Sequence, residues 1–368
     1  MPKNCKHLLS LVISLNILLF YYLYFFLKLN NKPISKSDFH KPISIIICAK
    51  NEADNLREFL PRVFEQDYPE FEVVVVNDQS EDGTAAILKI FEKSYPNLVI
   101  VTIAEHIKHW PGKKFALTLG IKTAKYDHLL FTDADCLPNS SNWAKKMSSN
   151  FNNSDIVLGF GGYQKRKGLL NKIIRFDTFN VANQYLSYAL AGFTYMGVGR
   201  NMAYKKSLFF ENKGFAKHLN IPSGDDDLFI QEVANKDNVS VEIVADAHTT
   251  STVIESWSDW IYQKRRHIST APLYKIRFKI LLAIYPYAQF SFWTVIIILF
   301  LLKAPITITT AILGLKLLSS YVINYKPMKQ LNTIDLFWIH PIYEVIYLLI
   351  QGIFVLLNVI NKPKKWSR

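Results

Sequence analysis

Apolar residues gather at the two ends of this chain, and that distribution limits what it can fold into. Leu8 to Leu27 is an uncharged, almost wholly apolar run of about 20 residues, long enough as a helix to cross the ~30 Å hydrocarbon layer of a bilayer. Lys3 and Lys6 precede it, but the run is too long for a signal peptide and no small-residue cleavage site follows, so it reads as an uncleaved anchor. A second apolar block begins near Ile280, interrupted at Lys303-Ala304-Pro305 and again from Tyr325 to Asp335. It holds three candidate spans: Ile280 to Leu302, Ile306 to Asn324 and Leu336 to Ile360. The expectation is a multi-pass protein of a cell membrane, with a polar region of roughly 240 residues between the blocks that suits one catalytic domain.

The formal charge of +13 would suggest nucleic acid in a soluble protein. Here many of the cations flank the spans. Lys28, Lys32, Lys36 and Lys41 follow the first, Lys275, Arg277 and Lys279 precede the second, and Lys326 and Lys329 separate the last two. This pattern places the central region on the cytoplasmic side, and membrane lipids account for the charge with no nucleic acid partner. Three full crossings after a cytoplasmic domain would put Lys362, Lys364, Lys365 and Arg368 outside. Either that tail breaks the rule, or the last segment, which carries His340, Pro341 and Glu344, does not cross fully. Cys5, Cys48 and Cys136 lack metal-ligand spacing and fit a reducing compartment. Lysine-, asparagine- and isoleucine-rich usage without a eukaryotic targeting signal points to a bacterial inner membrane. The expected organisation is an anchor and linker over 1–40, a catalytic domain over 41–250, an interfacial helix region over 251–279, and a membrane region of two or three spans over 280–368.

Within the polar region the rhythm is strand, helix, strand, helix. Ile43 to Cys48 is a continuous apolar run, as expected of a parallel strand covered on both faces, and Ala53 to Gln66 carries Leu56, Phe59, Leu60, Val63 and Phe64 at helical spacing. Glu72 to Val76 is the next strand, Thr84 to about Ser94 the next helix, and Leu98 to Ile103 the third strand. Further helices are expected from Phe115 to about Thr123 and, amphipathic, from Leu169 to about Leu190, with a strand over Asp155 to Phe160. This is an α/β fold with a mostly parallel sheet, whose ligands bind beyond the carboxyl ends of the strands. Neither Gly-x-Gly-x-x-Gly nor Gly-x-x-x-x-Gly-Lys-Ser/Thr occurs, which disfavours hydride transfer and P-loop chemistry.

The polar clusters fall at those strand ends. In Thr132-Asp133-Ala134-Asp135, two carboxylates stand two residues apart on an extended backbone and lean to the same side. Such a pair can hold Mg²⁺ or Mn²⁺ against a phosphate, a solvated turn being the other reading. Asp78 ends another strand. Trp110-Pro111-Gly112-Lys113-Lys114 opens a helix, where ammonium and free amide donors can converge on a diphosphate. Gly197-Val198-Gly199-Arg200 permits close backbone approach to a ligand or is simply a turn, and Arg200 is a candidate for the acceptor or diphosphate side. Asp225-Asp226-Asp227 repel one another, so the run either sits in water, as at an exposed helix start favoured by the helix dipole, or supplies a charge that a site needs. Trp257 to His267 describes an interfacial helix whose arginines face headgroups or turn inward to a diphosphate.

In their order these clusters resemble the family-2 glycosyltransferases of GT-A fold, in particular the membrane-bound branch with cellulose, chitin, hyaluronan and poly-N-acetylglucosamine synthases. The resemblance runs from about Pro42 to His267. Ile45-Ile46-Ile47-Cys48-Ala49-Lys50-Asn51-Glu52 is similar to the family's opening strand and turn, which implies that Asn51 and Glu52 cradle the nucleoside. Asn77-Asp78-Gln79-Ser80 with Asp82-Gly83-Thr84 implies that Asp78 reads the base. Gly112-Lys113 takes the place of the diphosphate-side Gly-Lys. Asp133 and Asp135 match the Asp-x-Asp motif, implying a UDP-sugar and Mg²⁺ or Mn²⁺. Gly224-Asp225-Asp226 resembles the acidic pair whose second member is the general base, so that role falls on Asp226. Gln263-Lys264-Arg265-Arg266-His267 is similar to Gln-x-x-Arg-Trp, which implies that Gln263, Arg265 and Arg266 hold the acceptor end and leaving diphosphate. His267 stands where the pattern has tryptophan, which speaks against processive polymer synthesis.

The expected activity is thus inverting, metal-dependent hexosyl-type transfer from a UDP-sugar to a lipid or glycan acceptor in cell-envelope synthesis, with a partner subunit admissible. A processive polysaccharide synthase is the alternative within the family. A nucleotidyltransferase, which would release pyrophosphate, and an inactive membrane scaffold are the alternatives outside it.

Overall fold

The computed structural model describes residues 3–33, 39–104, 112–361 and 363. Lys36, the loop residues Trp110 and Pro111, and the tail residues Lys362, Lys364, Lys365 and Arg368 lie outside these. The N-terminal apolar run is helical throughout. Helix α1 (Lys3–Tyr21) passes through a π-helical stretch, Tyr22–Phe26, into α2 (Leu27–Asn30). The expected alternation follows: β1 (Ile43–Ala49), α3 (Ala53–Phe64), β2 (Phe71–Asp78), α4 (Thr84–Ser94), β3 (Leu98–Ile103), α5 (Lys114–Thr123) and β4 (His128–Asp133). Next come β5 (Cys136–Pro138), α6 (Trp143–Ser148), β6 (Ile156–Leu158), β7 (Gly161–Tyr163) and α7 (Leu169–Leu190). After them stand β8 (Met202–Lys205), α8 (Lys206–Glu211), α9 (Asp227–Val233), β9 (Val239–Val241), β10 (Thr249–Ser251) and α10 (Trp257–Ile268). Three long apolar helices follow, α11 (Ile276–Leu301), α12 (Ile306–Gln330) and α13 (His340–Ile360).

The main sheet has the order β3-β2-β1-β4-β8-β6-β9. Strands β3, β2, β1 and β4 are mutually parallel, and β8 runs antiparallel to both its neighbours. Both faces of the central strands are covered, which is why they read as unbroken apolar runs. Ile45, Ile47, Val73 and Val75 pack with Leu56, Leu60 and Leu88 of α3 and α4. Ile46, Cys48, Val74 and Val76 pack with Ala116, Leu117 and Ile121 of α5 on the other face. The chain winds from β1 outward to β2 and β3, then returns to place β4 on the opposite side of β1. The order therefore reverses between β1 and β4, and a crevice opens at their carboxyl ends.

A second sheet, β5-β10-β7, stands beside the first. Its strands have three residues each, too few for any periodicity to mark them in the sequence. Helix α7 has the expected bounds but is not amphipathic. Most of its side chains are buried, because the domain covers one side and the long apolar helices the other. Tyr188 of α7 lies 4.4 Å from the Phe25 ring, Asn183 donates to Asn324 of α12 at 3.3 Å, and Arg175 bonds both oxygens of Asp335 at 2.8 and 2.6 Å.

Asn201 joins the layers. Its amide donates to the carbonyls of Phe160 and Ala247, each at 2.8 Å, and accepts from the Trp143 indole at 3.0 Å. All of this is buried, so Asn201→Ala strands three groups at once. It is expected to lower unfolding free energy by about 3 kcal/mol, read as an earlier thermal transition of the detergent-purified protein.

Candidate active site

The crevice is lined by the clusters that the sequence singles out. After β1, Asn51 takes a left-handed φ of 57° and ties itself to the loop after β2. Its amide donates to Ser80 Oγ at 3.0 Å, and its Oδ1 accepts from the Glu81 amide at 2.8 Å. The Glu52 amide donates to Thr84 Oγ1 at 2.9 Å, and Asp82 accepts from the amides of Ala53 at 3.1 Å and Thr84 at 2.9 Å. Two loops distant in sequence thus form one rim. Asp78 is buried at the end of β2, beneath it.

Burial pushes the Glu52 carboxyl up to about 7, assisted by the nearby charges of Asp135 and Asp133. At the end of β4, burial alone would raise Asp133, but the Lys113 ammonium is ion-paired with it and holds it below the usual carboxylate range. Burial and the charge of Asp133 raise Asp135. One donor atom each from Asp133, Asp135 and Cys136 lies within 4.8 Å of the others. The two carboxylates fit a hard divalent cation, since a positive ion relieves the repulsion that raises Asp135. Cys136 is a buried thiol, pushed well above its ordinary value by burial, and its Sγ donates to Asp135 Oδ1 at 3.3 Å. As a neutral donor it orients the carboxylate.

Lys113 is placed by its glycine. Gly112 has φ +83°, and a side chain there would meet the Pro222 carbonyl oxygen at 2.1 Å. The next residue, Lys114, does work that no motif marks: fully buried, it donates to the carbonyls of His218, Ile221 and Ser223 at 2.6, 2.9 and 2.8 Å. It thereby holds the loop that leads into Asp225 and Asp226. Only the Lys-Lys doublet hints at it in the sequence.

The acidic triplet divides its labour. Asp227 is buried and accepts from Thr270 Oγ1 at 2.5 Å and the Tyr274 hydroxyl at 2.7 Å, which fixes α9 to the end of α10. Asp226 caps α9, accepting from the amides of Asp227 at 2.8 Å and Gly199 at 3.0 Å. Burial, then the charges of Asp225 and Asp227, push its carboxyl up to about 8. The charge of Asp225 also bears on Lys113.

Arg200 extends over the Tyr163 ring at 4.6 Å and donates to Ser251 Oγ at 3.3 Å, with its charge on Asp133 and Asp135. Tyr163 in turn donates to Gln263 Oε1 at 3.2 Å, a link absent from the sequence reading because β7 is unmarked there. Arg266 bears on Asp133. Arg265 departs from the expectation. It turns from the crevice to α13, donating to Asn358 Oδ1 and the Leu357 carbonyl, each at 3.1 Å. Residues 265 and 266 are about 100° apart on a helix, so both cannot face one site.

From Asp226, Arg200, Gln263 and His267 a cavity of about 810 Å³ runs between α7, α10, α11 and α13. Tyr285, Phe290, Leu348 and Val355 are among its apolar lining.

Residues 44–211 match the family described as Glycosyl transferase family 2. Poly-beta-1,6-N-acetyl-D-glucosamine synthase of Staphylococcus aureus (strain MSSA476) is 32% identical over 109 residues, covering 30% of this chain and 25% of that protein. The protein of the same name from Staphylococcus epidermidis (strain ATCC 35984) is 31% identical over 119 residues, covering 30% of this chain and 27% of its own. The matching stretch spans about a quarter of these curated relatives. Among solved structures, the mannosyltransferase PcManGT from Pyrobaculum calidifontis, in complex with GDP-Man and Mn²⁺, aligns over 94% of this chain and 98% of its own. The TM-score is 0.56 at 19% identity, so the two share a fold.

The raised Asp226 has a consequence for stability. Its folded value of about 8 lies above its ordinary one, so its contribution is complete below about pH 4 and is lost as pH rises through about 8. The melting temperature is expected to fall over that interval, and to fall less in Asp226→Asn.

Proposed function

We propose, from the premise that residues 44–211 are a glycosyltransferase family 2 domain of GT-A fold, that this chain moves a hexosyl group from a UDP-sugar to a lipid or lipid-linked acceptor, with inversion. The observation that carries the acceptor is the cavity, whose lining includes both Asp226 and apolar side chains of the long C-terminal helices. A water-soluble acceptor needs no such walls. A lipid does, with its reactive headgroup at the polar end and its chain among Tyr285, Phe290 and Leu348.

In this reading the acceptor hydroxyl gives its proton to Asp226 as its oxygen attacks the anomeric carbon, and the bond to the diphosphate breaks on the opposite face. The amides of Gly199 and Asp227 aim the Asp226 carboxylate. A carboxyl near 8 is matched to this task, because a stronger acid would be too weak a base. Lys113 and Arg266 meet the charge that develops on the diphosphate, and the rim of Asn51, Glu52 and Asp78 receives the nucleoside. Asp133 and Asp135 are the residues that would hold Mg²⁺ or Mn²⁺, which when bound supplies further positive charge against the same diphosphate.

Elongation of an exported glycan is the second reading, and the polar side chains of Asn183, Gln289 and Gln351 along the cavity favour it. Release of UDP by the detergent-purified protein, over a panel of UDP- and GDP-sugars with Mn²⁺ or EDTA, decides the donor and the metal. Added membrane lipid is expected to stimulate release and to carry the label into the organic phase. Label in a water-soluble polymer supports the second reading, and pyrophosphate in place of UDP ends both. Asp226→Asn is expected to bind the donor with unchanged affinity while turnover falls by about 10³-fold. Turnover near wild type removes Asp226 as the base.

A further inference from the structure

By length and composition four helices can cross a membrane: Lys6–Asn30, Ile276–Leu301, Ile306–Gln330 and Ile334–Ile360. Three of them form an antiparallel bundle. Ser14 Oγ donates to Ser291 Oγ at 3.0 Å, the Tyr21 hydroxyl donates to the Leu281 carbonyl at 2.8 Å, and Asn30 donates to the Ile323 carbonyl at 2.9 Å. Asn30, Ile276 and Gln330 therefore all stand at the domain's side of the bundle.

The last helix is bound to the domain along its length. In the segment before it, Asp335 is held by Arg175 of α7. Tyr343 and Tyr347 lie with ring centres 5.3 and 6.4 Å from Phe176 of α7. Phe354 lies 5.6 Å from Trp260 of α10, and Asn358 both accepts from the Arg265 side chain at 3.1 Å and donates to its carbonyl at 2.8 Å. Helix α10 is itself fixed to the domain, through Lys264 and Asp177 at 2.9 Å and through Thr270 and Asp227. A crossing helix would carry residues near 358 about 30 Å away from that surface. Here they rest on it.

The start of α13 lies deeper. His340 Nε2 is 3.0 Å from Ser320 Oγ, about 15 Å along α12 from Gln330, and Glu344 is paired with the buried Lys316. The segment after α12 climbs beside it, with the Tyr321 hydroxyl donating to the Trp338 carbonyl at 2.9 Å, and α13 then slopes back. Its outer row, Leu349, Ile353, Leu356 and Ile360, is exposed and apolar at helical spacing, and α11 likewise exposes Ile280 and Ile284 in the turns nearest the domain.

We infer that α13 is a returning helix, inserted to part depth in the leaflet on the domain's side, with its outer row against the acyl chains of that leaflet. The chain crosses the membrane three times. Its inner row, Leu348, Gln351 and Val355, forms one wall of the cavity. Asn361, whose carbonyl accepts from Arg265, stands on the domain's side, so the basic residues that follow in sequence need no exception to the charge rule. The inference does not depend on which acceptor is used.

Sealed vesicles of one orientation, holding the full chain with an epitope tag after Arg368, provide the test. Protease added outside is expected to cut the tag only in the orientation in which it also cuts the central domain. Cutting of the tag in the opposite orientation overturns the inference. Spin labels at Leu349→Cys, Ile353→Cys, Leu356→Cys and Ile360→Cys in nanodiscs supply a second reading that tolerates a damaged tag. All four are expected at depths within one leaflet, and a series that passes through the bilayer centre to the far headgroups overturns it.

Discussion

The half-buried ion pair between Lys113 and Asp133 is the interaction on which the rest of the site depends. Glu52, Asp133, Asp135 and Asp226 gather in one crevice, where burial and mutual repulsion raise all of them except Asp133. Lys113 is the cation paired directly with Asp133, with Arg200 and Arg266 acting from farther off, and it is fixed at the start of α5 by Gly112 and the Pro222 backbone. Its neighbour Lys114 faces another way and gathers three carbonyls of the loop before Asp225. One turn of helix thus joins the nucleotide half of the crevice to the half that carries Asp226.

Much of the fold is legible in the sequence where one physical rule acts alone. The runs Ile43 to Cys48 and Glu72 to Val76 announce parallel strands because both their faces are covered, and the helices after them show their period because only one face is. Helix α7 is the opposite case. Its ends are readable, but its character is not, since a helix covered by the domain and by other apolar helices shows no polar stripe. The three-stranded sheet is silent because strands of three residues are too short to show an alternation.

The site divides in the same manner. Residues proposed to meet a ligand sit in short motifs, so Asp78, Lys113, Asp133, Asp135 and Asp226 are the ones that the resemblance singles out. Residues that meet other parts of the chain carry no local mark: Lys114 bonds backbone carbonyls of a distant loop, and Tyr163 supports Arg200 from an unmarked strand. Arg265 is the instructive failure. It lies within a motif, but neighbouring residues on a helix point in different directions, and the one beside Arg266 was free to bind α13.

Helix α7 has one more consequence. It touches the π-helical stretch beyond α1 at Tyr188, α12 at Asn183 and the segment before α13 at Arg175, while its other side is domain core. The crevice is therefore fixed to the apolar helices at several separate points. Under the function proposed above, a crevice so fixed selects its acceptor by reach: a headgroup of one length brings its hydroxyl to Asp226, and one longer or shorter by a sugar presents the wrong atom.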